Sequence, residues 1–483
     1  MSYVKKLIRY FNKCYESKTY HEWTENEFIV ILDHFFYTSY DENKFRYAMF
    51  QAVETYPRDC AIMIYLSKYY CLKKNYKKSM RIISSKNIDI VPEYEGPICA
   101  LKGDIYRAMR HYDTAIKWYR KAMKFEESRM SAYHLAHCYY SLGYYDKALE
   151  CYKAFYRMIP EEKLLEADDV IYDMNKCWEK LGNSQDAVNF YQSLVYGSQP
   201  FSAAAWFSLA VNYLVLNNYK EAERALKFSI AINPDSSSAF FNLGNIYSQT
   251  GQYELSAKMY DEVIRLEGED SLTVLYKGES LYYAGKLDDA INCFRKSLFL
   301  NSGSAEANYW LAQCYYVMYD NKKSMQHVEK AIRIDSSNPD YYNLRGNLRM
   351  LAEDNVGAKI DLSKSVSLQP SNADNVIDYV HFLISTGEPK ESIEPLYNAI
   401  QSNPNDARLH FLVGISEYYR GAKQEAYVSI ANTISTFNFD SDTADAINAK
   451  KNIIQDIRDY YPDLLEDSNM REVLSDFMNL NKS

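Results

Sequence analysis

Long apolar runs are missing from this sequence. None of its 483 residues falls in an unbroken stretch of the roughly 18 apolar residues that a membrane-spanning helix needs, so no span is expected. The opening MSYVKKLIRYFNKCYES is basic but has no apolar stretch long enough for a secretory signal. Cys14 does not follow such a stretch either, which argues against a lipid anchor, and a cytoplasmic location is the expectation. Phosphate-cradling loops are missing too: neither GxGxxG nor GxxxxGK[ST] occurs. HExxH and GxSxG are also absent, which removes the commonest zinc- and serine-hydrolase arrangements. Charge of either sign is in small excess, with 55 Lys and Arg against 64 Asp and Glu, a net of -9. A nucleic-acid partner is therefore not expected, because its footprint would be basic. The nine cysteines are odd in number and do not read as a disulfide framework.

Two local stretches carry chemistry-bearing residues and are weighed against plainer readings. His134, His137 and Cys138 lie close together in AYHLAHCYY, and the histidines share a helical face. A structural zinc needs four ligands and a catalytic one usually three. Cys138, Cys177 and Cys314 fall at one repeating position, as do Cys151 and Cys293, which marks small core residues rather than ligands. No metal and no cofactor is expected. The stretch SKYYCLKKNYKKSMR, residues 67–81, is basic and interleaved with tyrosine. Its lysines straddle a hairpin turn, where such charge is solvated.

What the chain does have is self-similarity. WFSLAVNYLVLNNYKEAERAL at 206–226 returns 34 residues later as FFNLGNIYSQTGQYELSAKMY at 240–260. Units starting at 203, 237, 271, 305, 339, 373 and 407 keep this period without insertion. Slot 8 of the unit is small (Ala210, Gly244, Gly278, Ala312, Gly346, Gly414), with Val380 the exception. Slot 20 is small as well, from Ala222 through Ala426. Slot 24 is large: Leu226, Tyr260, Phe294, Val328, Leu362, Leu396 and Ile430. Small against large predicts two helices interlocking at close approach. Slot 15 is often glycine, at Gly251, Gly285, Gly387 and Gly421, which can end a helix in the left-handed conformation. First helices are predicted at about 204–216, 238–250, 272–284, 306–318, 340–352 and 374–386. Units at 168–201 and 129–162 follow the pattern with EEKLLEA inserted between them, and weaker units start near 96, 60 and 26.

These slots, with Trp206, Leu209, Ala210, Tyr213, Ala222 and Pro234 in one unit and Leu243, Gly244, Tyr247, Gly251 and Tyr260 in the next, resemble the tetratricopeptide repeat family over roughly residues 26–440. The overall look resembles tetratricopeptide proteins of Bacteroidetes bacteria. The resemblance implies an all-α fold, a right-handed superhelical solenoid of about twelve helix-turn-helix repeats whose first helices line a concave wall. The expected organisation is an N-terminal capping helix at 1–25 and divergent repeats at 26–128. Repeats with a segment inserted near 161–167 follow at 129–202, then seven in-phase repeats at 203–440 and a helical cap at 441–483. In that cap Ala446, Ile453, Ile454 and Ile457, then Met470, Val473, Leu474 and Phe477, form apolar stripes.

Partner choice should be written on the wall. Its residues in slots 5, 9 and 12 give a groove of Tyr133, Phe207, Phe241, Asn245, Tyr282, Tyr309, Tyr316, Phe411 and Tyr418, drawn from a chain with 47 tyrosines. The chaperone-binding members of the family clamp a C-terminal carboxylate with basic residues. Slot 9 here, with Val211, Asn245, Glu279, Gln313, Asn347 and His381, has none. An asparagine ladder like that of a sugar-transferring relative is present only in pieces, at Asn242, Asn245, Asn343 and Asn347. The leading expectation is a non-enzymatic scaffold holding a protein or peptide partner in the groove. The alternatives are an enzyme or enzyme subunit with an atypical site there, and a purely structural or self-associating solenoid.

Overall fold

The computed structural model describes residues 3–125, 129–160, 167–198, 200–437, 439 and 444–478. Among them the chain is helical, and the only β pairing is one isolated bridge between Asp59 and Asp89. It divides into two compact units, Met1–Ala239 and Phe240–Ser483.

The first unit opens with α1 (Tyr3–Ser17). Helix pairs follow: α2 (Glu25–Asp33) with α3 (Glu42–Thr55), α4 (Cys60–Leu72) with α5 (Tyr76–Ile83), and α6 (Pro92–Ala108) with α7 (Tyr112–Ala122). The next are α8 (Arg129–Ser141) with α9 (Tyr145–Arg157), α10 (Asp168–Leu181) with α11 (Ser184–Ser193), and α12 (Ala203–Val215) with α13 (Tyr219–Ile232). The division between the units falls inside α14 (Ser237–Gln249), which pairs with α15 (Tyr253–Glu267). The second unit continues with α16 (Ser271–Tyr283) and α17 (Leu287–Leu300), α18 (Ala305–Val317) and α19 (Asn321–Ile334), and α20 (Pro339–Leu351) and α21 (Asn355–Leu368). It ends with α22 (Ala373–Ser385) and α23 (Ile393–Ser402), α24 (Ala407–Tyr419) and α25 (Lys423–Thr436), then α26 (Ala444–Tyr460) and α27 (Ser468–Leu474).

Twelve pairs, α2/α3 through α24/α25, therefore stand among the described residues. First helices begin one residue earlier than the sequence predicts. The reason is a capping side chain just before slot 1: Ser202, Asp270, Ser304, Asn338, Asn372 and Asp406 each accept a hydrogen bond from a backbone N–H of the first turn. Residues 161–166 of the expected insertion lie outside the described residues. The divergent early units keep the phase. Ser67 and Ser79, in slots 8 and 20 of the unit starting at 60, are buried and hydrogen-bonded to each other at 2.9 Å.

Each pair closes on the small-against-large contact. A methyl group added to Gly278 would come within 2.6 Å of the Phe294 ring, and one on Gly346 or Gly414 within 2.7 and 2.5 Å of Leu362 and Ile430. Gly103 and Tyr119 repeat the arrangement at 2.6 Å in the first unit. Slot-20 serines add a tie: Ser256 Oγ donates to the Gly244 carbonyl and Ser324 Oγ to the Ala312 carbonyl, both at 2.8 Å. Within the second unit the first helices also touch one another in series, α16 to α18, α18 to α20, α20 to α22 and α22 to α24. They form a continuous wall.

Candidate functional site

At about 100° per residue, slots 2, 6, 9 and 13 of a first helix fall in one narrow arc, and slots 5 and 12 flank it on one side. The flank is where the sequence places its groove aromatics, and there the rings pack between hairpins. Tyr309 lies 5.0 Å from the Tyr341 ring of the next hairpin and accepts a 2.7 Å hydrogen bond from Gln313 Nε2. Tyr282 packs 5.3 Å from Trp310, and Phe241 lies 5.7 Å from Tyr260 and 5.8 Å from Tyr276. Tyr316 is half-buried against the cluster of Tyr341, Leu344 and Leu348. The Tyr260 hydroxyl donates to Asn245 Oδ1 at 2.6 Å. Tyr133 and Phe207 belong to the first unit. The Tyr133 hydroxyl donates to Asp173 at 2.9 Å, and the Phe207 ring lies 6.0 Å from Tyr172.

Two of the expected groove residues lie against a later segment of the same chain. Phe411 is only 1% exposed and stacks 5.7 Å from Phe477, and the Tyr418 hydroxyl donates to Asp467 at 3.1 Å. The segment holding α26 and α27 lies on the wall at α22 and α24. His381, in slot 9 of α22, stacks 4.4 Å from Tyr460 and hydrogen-bonds the Tyr461 hydroxyl at 2.5 Å. Ile453, Ile457, Met470, Leu474 and Phe477 are buried in the same core cluster as Phe411, as the apolar stripes of that segment predict, and α26 stops at Tyr460 just before Pro462.

The arc itself is accessible upstream of that segment. Slot 13 gives an apolar row that the sequence reading missed: Tyr283 is 53% exposed, Val317 45% and Leu351 59%. Their 34-residue spacing was the available signal. Beside them lie carboxylates. Burial, then the neighbouring Glu306 carboxylate, pushes Glu279 up to about 7, with the Trp310 indole opposing. Glu279 Oε1 is buried and has no hydrogen-bond partner. Asp378 accepts from Asn343 at 2.9 Å and Asn347 at 3.1 Å, and burial raises its pKa. These asparagines, read from sequence as pieces of a ladder, are thus engaged within the wall.

The remaining candidates are packed or paired. His134 Nδ1 lies 2.9 Å from Asp104 Oδ1, which also accepts from the Tyr119 hydroxyl at 2.7 Å. Burial pushes the thiols of Cys138 and Cys151 up to about 11, away from the nucleophilic thiolate. Among the described residues no three His, Cys, Asp or Glu side chains converge to hold a metal ion. In the basic stretch Lys73 pairs with Glu42, and Lys78 sits 4.0 Å over the Tyr70 ring at the turn between α4 and α5. No described helix is long and apolar enough to cross a membrane.

Comparison with known proteins agrees with the hairpin geometry. Family models described as tetratricopeptide repeat match residues 96–129, 131–162, 229–256 and 276–339. A TPR repeat-containing protein of Methanocaldococcus jannaschii is 23% identical over 74% of this chain and 56% of its own length. The BBSome complex member BBS4 of Bos taurus is 21% identical over 69% of this chain and 63% of its own, and the protein CTR9 homolog of Arabidopsis thaliana 24% over 47% and 21%. The chain thus spans less than two thirds of each of these relatives. Similar solved structures include a tetratricopeptide repeat protein from Parabacteroides merdae, 18% identical, covering 52% of this chain and 98% of its own, with a TM-score of 0.40. Another is the APC/C Cut9-Hcn1 assembly, 12% identical over 82% of this chain and 96% of its own, with a TM-score of 0.41. With its 34-residue phase, its interlocked helix pairs and the family-model matches at both early and late repeats, the chain carries tetratricopeptide repeats.

Proposed function

We propose that this chain is a non-enzymatic scaffold that docks a segment of a protein partner on the first-helix wall of α16, α18 and α20. One observation carries the reading: the same wall at α22 and α24 is covered by the chain's own α26–α27 segment, whereas Tyr283, Val317 and Leu351 upstream present an exposed apolar row. A wall that holds a helical segment at one stretch is built to hold one at the next. Exposed aromatic and aliphatic rows of this kind mark interaction surfaces. The test is site-specific photocrosslinking in the native host. A benzophenone side chain at position 283 or 317 should give a discrete protein adduct, and one at Phe299, exposed on the second helix α17, should not. Equal adducts at all three positions, or none at 283 and 317, would reject the wall as the docking face.

A further inference from the structure

We propose that the segment docked on α16, α18 and α20 is cationic and amphipathic: its Lys or Arg side chains face Glu279 and Glu306, and its apolar side chains cover Tyr283, Val317 and Leu351. The proposal rests on the reading of the wall as a docking face and names the chemistry of the occupant.

The sign of the wall is not set by composition. Slots 2, 5, 6, 9, 12 and 13 of the five repeats starting at 237, 271, 305, 339 and 373 carry Glu279, Glu306, Asp340, Asp374 and Asp378 but no Lys or Arg. With 55 basic residues in 483, roughly thirty positions would ordinarily hold about three. Three of the five carboxylates are answered within the protein. Asp374 pairs with Arg408 at 2.7 Å, Asp340 accepts from Asn375 at 3.0 Å, and Asp378 accepts from Asn343 and Asn347. Glu279 and Glu306 form no ion pair among the described residues, and Glu279 keeps a buried oxygen without a partner. These two carboxylates stand on adjacent first helices, and a cation docked beside them would favour the ionised form of both.

The stretch already occupied shows how the wall chooses. The α26–α27 segment lies on it by apolar burial, with two polar contacts at its edge. Asp467 meets Lys423 Nζ at 2.8 Å, Asp456 lies 3.7 Å from the His381 ring, and Phe477 covers Phe411. The segment therefore lies on this stretch through apolar burial, with Asp467 held from the start of the second helix α25 by Lys423. Upstream the apolar row continues beside Glu279 and Glu306, which no cation of the described residues answers, so the complementary occupant there is basic.

Three synthetic peptides of equal length and equal apolar pattern, with lysine, glutamate or glutamine on the polar face, provide the test. Binding is read by fluorescence anisotropy at low and physiological salt, and location by crosslinking to a benzophenone at position 283. The lysine peptide should bind, crosslink at 283 and weaken with salt. Its affinity should fall at least about tenfold in Glu279→Gln/Glu306→Gln and little in the control Asp288→Asn/Asp289→Asn on α17. Equal binding of all three peptides at position 283 would overturn the charge assignment and leave the docking face standing. No crosslink from any peptide would remove both. An equal loss in the control variant would reduce the effect to net charge and overturn the site. Dimerisation of the protein alone, lost in Glu279→Gln/Glu306→Gln, would reassign the wall to a second copy.

Discussion

Slot 15, the residue that turns a first helix into its second, has a positive φ in every unit from the one starting at 60 onward, whether or not it is glycine. Gly251, Gly285, Gly387 and Gly421 adopt it, but so do Lys74, Arg110, Asn217, Tyr319 and Glu353, with φ between 56° and 62°. The hairpin imposes the left-handed turn, and a residue with a Cβ there carries strain of about 1–2 kcal/mol. Tyr319 is 89% exposed, so replacing it loses no packing. Tyr319→Asn, which puts the residue already used at Asn217 into the same turn, should stabilise the protein by about 0.5–1 kcal/mol in urea unfolding. A second residue-scale expectation concerns Glu279. Its folded pKa of about 7 is above the ordinary carboxylate value, so the folded state holds the proton more tightly than the unfolded chain. That group therefore lowers stability progressively as pH rises from about 4.5 through 7, and fully above it. The groups facing it are Glu306 from α18, Tyr260 from α15, and Tyr276 and Tyr283 on its own helix. Glu279→Gln should stabilise by about 1–3 kcal/mol at pH 8 and change little at pH 4, measured as urea midpoints at the two pH values.

At the scale of the element, the helix pair is held by a contact legible in sequence. Gly278 approaches Phe294 so closely that a Cβ would overlap the ring, which is what small slot 8 and large slot 24 announce. Gly278→Val should cost about 1–3 kcal/mol by overpacking, and adding Phe294→Leu should recover part of it. If the two substitutions prove additive, the pair does not touch. Where the rings of slots 5 and 12 would lie was not legible in the same way. A tyrosine in slot 5 has a large apolar ring and a polar tip, and composition alone does not say whether it faces a groove or the next hairpin. Tyr309 is half-buried on Tyr341, so Tyr309→Ala should cost about 2 kcal/mol, roughly half of what a fully buried ring loses. A loss below about 0.5 kcal/mol would mean that the ring stands free of the neighbouring hairpin.

The largest-scale feature of the second unit is its α26–α27 segment. Phe411, Leu412 and Ile430 of the α24/α25 pair are buried in one cluster with Ile457, Leu464, Met470 and Phe477. Repeat stacks need their last apolar face covered, and this segment covers it while also lying on the wall. Leu464→Ala/Leu474→Ala should loosen it. Hydrogen exchange over α26 and α27 should rise before that of α16–α21, and Phe411 should become accessible. Uniform protection changes along the unit would show instead that the segment and the stack open together.

The sequence by itself determined the repeat: its period, the phase of the six first helices from α12 to α22 to within a residue, the small–large lock and the apolar stripes of α26 and α27. Those are local matters. A helix hairpin of fixed length cannot bury its apolar face except against its neighbours, so the slots that touch must recur at the spacing of the unit. Tertiary structure alone decided which wall positions are open. Phe411, in slot 5, and Tyr283, in slot 13, are both aromatic residues on first helices, and neither slot says which of them a distant segment covers. One is covered by Phe477, which lies 66 residues further along the chain, and the other is not. Exposure on a wall depends on which distant segment comes to lie on it, and a contact over that separation leaves no periodic mark in the residues that make it.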